Sequence, residues 1–88
     1  MEKYRYKTAG TCSREIEIGI ENGIIKNVIF QGGCHGNLQG LSALVKGMSA
    51  EEVISRLEGI KCGAKQTSCP DQLSQALKVI LNKKEGIN

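Results

Sequence analysis

The chain has 88 residues, 12 basic against 9 acidic, and a net charge of +3, which supplies material for one hydrophobic core and excludes a second. The basic residues are spread along the chain apart from Lys83-Lys84, so the surface is mildly basic and is no nucleic-acid footprint. A charged start, MEKYRYKTAG, and the lack of any run near about 18 apolar residues argue against a signal peptide and a membrane span, and the expectation is a cytoplasmic protein.

At this size a domain buries only about 60 to 65% of the surface its unfolded chain exposes, so stability calls for a staple. The aromatic residues are Tyr4, Tyr6 and Phe30. The core must therefore rest on Ile, Leu and Val, and the four cysteines are the candidates for the staple.

Lys3-Tyr4-Arg5-Tyr6-Lys7-Thr8 alternates charged with aromatic or β-branched side chains, which predicts an edge strand with both tyrosines on one face. Glu15 to Ile20 puts Ile16, Ile18 and Ile20 on one face and Glu15, Glu17 and Gly19 on the other, a half-buried strand. Asn22-Gly23 supplies turn chemistry, because both residue types accept positive φ, and Ile24 to Phe30 resumes an extended run; residues 15–30 read as a β-hairpin. Gly32, Gly33 and Gly36 then mark a sharp turn or a close approach. Leu38, Leu41, Leu44, Val45 and Met48 predict a helix stopped at Gly47. Ser49-Ala50-Glu51-Glu52 is a capping box for a second helix, with Val53, Ile54 and Leu57 inward and Gly59 at its end. The third opens near Ser68 to Pro70, carries Leu73, Ala76, Leu77, Ile80 and Leu81 at helical spacing, and frays over residues 82–88. Strands followed by helices predict an α+β fold in a single domain, residues 1–88, with three helices packed on one face of a three-stranded antiparallel sheet.

Cys12, Cys34, Cys62 and Cys69 all fall in predicted loops or at element boundaries, and none lies on an apolar stripe, where packing cysteines belong. From such positions thiolates can converge at one end of a sheet. In a reducing compartment this placement favours metal or redox chemistry over disulfides. Cys34 and Cys69 fall near predicted helix starts, whose free amides and dipole favour a thiolate, and Gly32, Gly33, Gly36 and Gly63 let backbone approach a metal. The cysteines are separated by 21, 27 and 6 residues, so zinc-ribbon and ferredoxin patterns are absent. Four thiolates suit tetrahedral zinc and an iron–sulfur cluster equally; reversible dithiol chemistry and inert or disulfide-bonded cysteines are the other readings.

His35, the single histidine, is open to three readings: ligand, proton donor or exposed bystander. Asp71 reads as a helix-start carboxylate on free amides, and Thr67 and Ser68 as caps, since no second histidine exists to build a triad. Between a strand and a helix, GGCHG lacks the lysine and the glycine pattern of a phosphate loop.

Residues Thr67 to Asp71 spell TSCPD, and the chain resembles the TSCPD-domain family from Thr11-Cys12 through GGCHGNLQGLSALVKGM (Gly32 to Met48) to Cys62-Gly63 and SCPDQL. That family occurs as short stand-alone proteins and as the C-terminal domain of many adenosylcobalamin-dependent ribonucleotide reductases. The resemblance implies a link to deoxyribonucleotide synthesis and a ribonucleotide reductase component as partner. The large radical-generating barrel is missing from these residues, so no enzyme is expected from them alone.

A weaker, architectural resemblance is to the U-type iron–sulfur cluster scaffold proteins, which implies a scaffold-like topology. Cys12, Cys34 and Cys69 match their three cysteines, and VKGMSAEE (Val45 to Glu52) resembles their helix-Gly-helix connection. Arg14 and Ser68 stand where the scaffold has an aspartate and a histidine, and Cys62 is additional; a fourth thiolate favours closed coordination. The expectation is therefore that Cys12, Cys34, Cys62 and Cys69 bind one structural zinc in an accessory or interaction module. The alternatives are an iron–sulfur cluster binding or transfer protein, and a dithiol redox partner of a reductase working through Cys62 and Cys69.

Overall fold

The computed structural model describes residues 2–11, 13–33 and 35–84, the side chains of His35 and Lys84 excepted. Three strands precede three helices: β1 (Glu2–Lys7), β2 (Ser13–Glu21), β3 (Ile24–Gly32), α1 (His35–Val45), α2 (Ala50–Leu57) and α3 (Cys69–Lys84). The sheet is an antiparallel meander of order β1-β2-β3, so the expected α+β arrangement holds and β1 is an edge.

Cross-strand register explains which side is buried. Tyr4, Ile18 and Val28 stand opposite one another, as do Tyr6, Ile16 and Phe30, so these residues of the three strands share a face. Arg5, Glu17 and Ile29 share the other face, where Arg5 meets Glu15 at 3.5 Å and Gln31 donates to Glu17 at 3.0 Å. Asn22 (φ 54°) and Gly23 (φ 78°) are successive left-handed residues, the backbone that a two-residue turn of matching twist requires.

Both strands of the hairpin, β2 and β3, exceed the predicted bounds. Ser13 pairs with Gly32, and the register shifts before Glu15 pairs with Gln31, which leaves Arg14 as an extra residue in β2. A bulge breaks strict alternation, and this one hides the first residues of β2 from a periodicity argument.

Helices cover the Ile face. Ile16, Ile18, Ile20 and Ile25 form one core cluster with Val45, Ala50 and Val53 and with Leu73, Ala76, Leu77 and Ile80 of α3. Burying one such aliphatic side chain is worth about 1.5 to 3 kcal/mol, so this cluster carries the fold. Leu44 departs from the predicted stripe at 73% exposed. It sits about 100° around the helix from Val45, and α1 packs chiefly against β3, so among the described residues that edge stays largely uncovered.

The α1–α2 connection fastens the turn end of the sheet. The Gly47 amide (φ 90°) donates to Ile25 at 2.8 Å, the Ile25 amide to Met48 at 2.9 Å, and the Ala50 amide to Gly23 at 2.8 Å. Ser49 caps α2 by accepting from the Glu52 amide at 3.1 Å, whereas the Glu52 carboxylate pairs with Arg56 at 2.8 Å instead of completing the box. Helix α3 stays regular through Lys84, beyond the predicted fraying point at Asn82. No described helix is long and apolar enough to cross a membrane.

Candidate functional site

At the end of the sheet opposite the Asn22-Gly23 turn, β2 begins, β3 ends and α3 begins. The Ser13 hydroxyl, in a residue 4% exposed, lies 3.3 Å from the Cys69 sulfur and 3.1 Å from the Thr11 hydroxyl. The Ser13 carbonyl accepts from Thr8 Oγ1 at 2.5 Å and from Thr11 Oγ1 at 3.3 Å. Gly33 has φ 85°, and a Cβ there would meet Leu38 Cδ1 at 2.8 Å and the Ser13 amide nitrogen at 3.3 Å. Ser13, which follows Cys12, is thus packed against Gly33, which precedes Cys34, and touches Cys69. Cys12 and Cys34 themselves lie outside the described residues, as does the side chain of His35.

The start of α3 is held by a polar network. Ser68 caps the helix: its Oγ accepts from the Asp71 amide at 3.1 Å and donates to the Ile60 carbonyl at 2.6 Å. Pro70 falls in the first turn, where a missing amide proton costs nothing. The Asp71 carboxylate, in a residue 6% exposed, accepts from the Gly59 amide at 2.7 Å, from the Thr67 hydroxyl, and from Gln75 Nε2 at 2.9 Å. The Thr67 hydrogen bond foremost holds its pKa below the usual 3.8; burial opposes this, and Gly59, Gln75 and the Lys78 charge add to the lowering. Asp71 is a helix-start carboxylate as expected, but the free amide it takes belongs to the preceding loop.

Cys62 lies exposed in the α2–α3 loop. That loop folds back on itself: the Cys62 amide donates to Thr67 at 3.2 Å, the Lys65 amide donates to Cys62 at 3.0 Å, and Gly63 takes φ 57°. Cys62 and Cys69 are both free thiols. As a donor set they suit a soft metal: Cys69 is half-buried with a hydroxyl at hydrogen-bond distance from its sulfur, and Cys62 is accessible. Among the described residues no group of three or more His, Cys, Asp or Glu is placed to hold a metal ion, and only Cys62 and Cys69 of the four cysteines are among those residues.

Two residues of this end escape the sequence reading. Ser13 had only its adjacency to Cys12 to mark it. Gln72 carried a usable signal: it lies four residues before Ala76 and eight before Ile80, in line with the stripe that α3 buries. A polar residue in such a line needs buried partners, and Gln72 has them in Ala9 and Thr67.

No curated protein and no solved structure matches this chain. The family model of the TSCPD domain matches residues 2–81 of the 88, a span that runs from β1 to the last turn of α3 and takes in the whole end of the sheet just described. The chain belongs to the TSCPD-domain family.

Proposed function

We propose that this protein is a cytoplasmic four-cysteine metal-binding module that serves ribonucleotide reduction as an accessory or interaction partner of a reductase component. Cys12, Cys34, Cys62 and Cys69 are the ligands and zinc is the metal. The observation that carries the reading is the position of Ser13, which touches Cys69 and packs against Gly33. The residues adjoining two of the cysteines are thereby drawn to a third. Membership of a family associated with ribonucleotide reductases supports the partner class.

Four thiolates complete a tetrahedral zinc shell and leave no open coordination position, which suits structure or recognition over catalysis. The chain's own contribution is to hold Cys69 at the start of α3 beside the Ser13 hydroxyl and to present Cys62 on a closed loop.

Elemental and sulfide analysis of protein purified without added metal tests this. One zinc per chain with no sulfide is the expected result. Iron with matching sulfide would replace zinc by an iron–sulfur cluster, and a metal-free protein with a reversible Cys62–Cys69 couple would replace the metal by dithiol chemistry. Capture of a reductase component from the source cell by the zinc-loaded protein is expected; repeated failure to recover one overturns the partner assignment.

A further inference from the structure

The Gln72 side chain spans two loops. It is 5% exposed, its Oε1 accepts from the Ala9 amide at 3.0 Å in the loop leading to Cys12, and its Nε2 donates to Thr67 Oγ1 at 3.1 Å in the loop between Cys62 and Cys69. Thr67 extends the tie: its hydroxyl donates to Asp71, its carbonyl accepts from the Cys62 amide, and its Cγ2 stands 3.1 Å from where a Cβ on Gly10 would lie. Asp71 and Ser68 fasten the upstream part of the same loop through the Gly59 amide and the Ile60 carbonyl.

Donors and acceptors in this network close on one another. The Gln72 amide, the Thr67 hydroxyl, the Asp71 carboxylate and the Ser68 hydroxyl are satisfied by each other, by Gln75 and by backbone, with no cysteine sulfur among them. Among the described residues no buried side-chain nitrogen or oxygen lacks a partner. A buried network satisfied in this way is rigid, and it needs no metal to complete it. Its base is rigid too, because Leu73 and Leu77 seat α3 in the core with no exposed surface.

We infer that Gln72 is a positioning residue of the cysteine site: it joins the Ala9 and Thr67 loops so that the segments bearing Cys12, Cys62 and Cys69 are set by the protein before a metal ion binds. The metal part of this inference rests on the four-cysteine reading; the pre-setting of the loops rests on the hydrogen bonds alone. The behaviour differs from that of zinc fingers, which are unfolded without their metal.

Amide hydrogen exchange on reduced, chelator-treated protein, followed by titration with Co(II), tests it in the wild type and in Gln72→Met, Thr67→Val and Thr67→Ser. The metal-free wild type is expected to protect the Ala9 and Gly59 amides. Gln72→Met loses protection at Ala9, keeps it at Ile18 and Leu77, and binds Co(II) about ten- to a hundredfold more weakly, with fainter thiolate-to-cobalt bands. Thr67→Val behaves likewise and Thr67→Ser restores both readouts. If Gln72→Met also exposes Ile18 and Leu77, the Thr67 pair decides. Free exchange of the Ala9 amide in the metal-free wild type, or unchanged cobalt affinity and spectrum in the variants, overturns the inference. A wild type with no thiolate–cobalt bands removes the four-cysteine reading instead, and protection of Ala9 in the wild type against Gln72→Met then decides whether Gln72 joins the loops.

Discussion

The amide of Gly59 donates to the carboxylate of Asp71 at 2.7 Å and closes the α2–α3 loop at its base. Twelve positions separate the two residues, and the loop between them carries Cys62. Asp71 accepts three hydrogen bonds, from Gly59 on one oxygen and from Thr67 and Gln75 on the other, so an amide in its place either turns its NH2 toward the Gly59 amide or gives up the bonds donated by Thr67 and Gln75 as they stand, and in both cases loses the charge. Asp71→Asn is expected to destabilise the metal-free protein by about 1.5 to 3 kcal/mol, the range for hydrogen bonds to a charged group, as read from denaturant unfolding at neutral pH.

The same carboxylate sets a pH dependence. Its folded pKa lies below the unfolded value of 3.8, so the unfolded chain takes up the proton first as pH falls. The stability it contributes is full above the unfolded value and is lost as pH falls through the folded one. Acid titration of unfolding stability should therefore show a steeper loss below pH 3.8 in the wild type than in Asp71→Asn; parallel curves would mean that this carboxylate is not linked to folding.

Gly33 is a steric contact point. Gly33→Ala forces a Cβ to 2.8 Å from Leu38 Cδ1 at a φ of 85°, and the expected loss is about 1 to 3 kcal/mol. Gly40 lies inside α1, and a Cβ there would have open space for 4 Å around it, so Gly40→Ala is expected to stabilise by about 0.5 to 1 kcal/mol. Thermal melts of the two variants should move in opposite directions.

Two leucines with similar sequence signatures should answer differently. Leu77 has no exposed surface and Leu44 is 73% exposed. Leu77→Ala is expected to cost about 2 to 5 kcal/mol, and Leu44→Lys to stay within about 0.5 kcal/mol of the wild type, both by chemical denaturation.

Ser68→Ala removes the cap of α3 and the bond to Ile60 together. A loss of about 1 to 2 kcal/mol is expected, with earlier exchange of the Asp71 amide than of amides further along the helix.

Local patterns were legible wherever the partner is set by neighbouring residues. Ile16, Ile18 and Ile20 alternate onto the buried face, Asn22-Gly23 makes the turn, and Ser49 caps α2, because period, backbone freedom and cap chemistry act within a few positions. Leu44 fell on the helical stripe, but its exposure depends on how wide a surface β3 offers to α1, which no local pattern encodes. The partners of Asp71 and Gln72 were illegible for the same reason: a buried polar side chain declares that it needs a partner without saying that it will be Gly59 or Ala9. The four cysteines were found by their avoidance of apolar stripes. Of the four, Cys62 and Cys69 are among the described residues, and the contact of Cys69 with Ser13 depends on long-range packing that no local pattern encodes.

Ser13 and Cys69 meet across 56 positions of chain, and Ala9 and Gln72 across 63. Neither contact can close on a nascent chain until α3 has been synthesised and has docked on the sheet. A fragment that stops short of residue 69, or a chain nicked and separated within the α2–α3 loop, forfeits this end of the molecule together with the α3 side of the core. A partner that recognised this end would therefore tell finished protein from partial products.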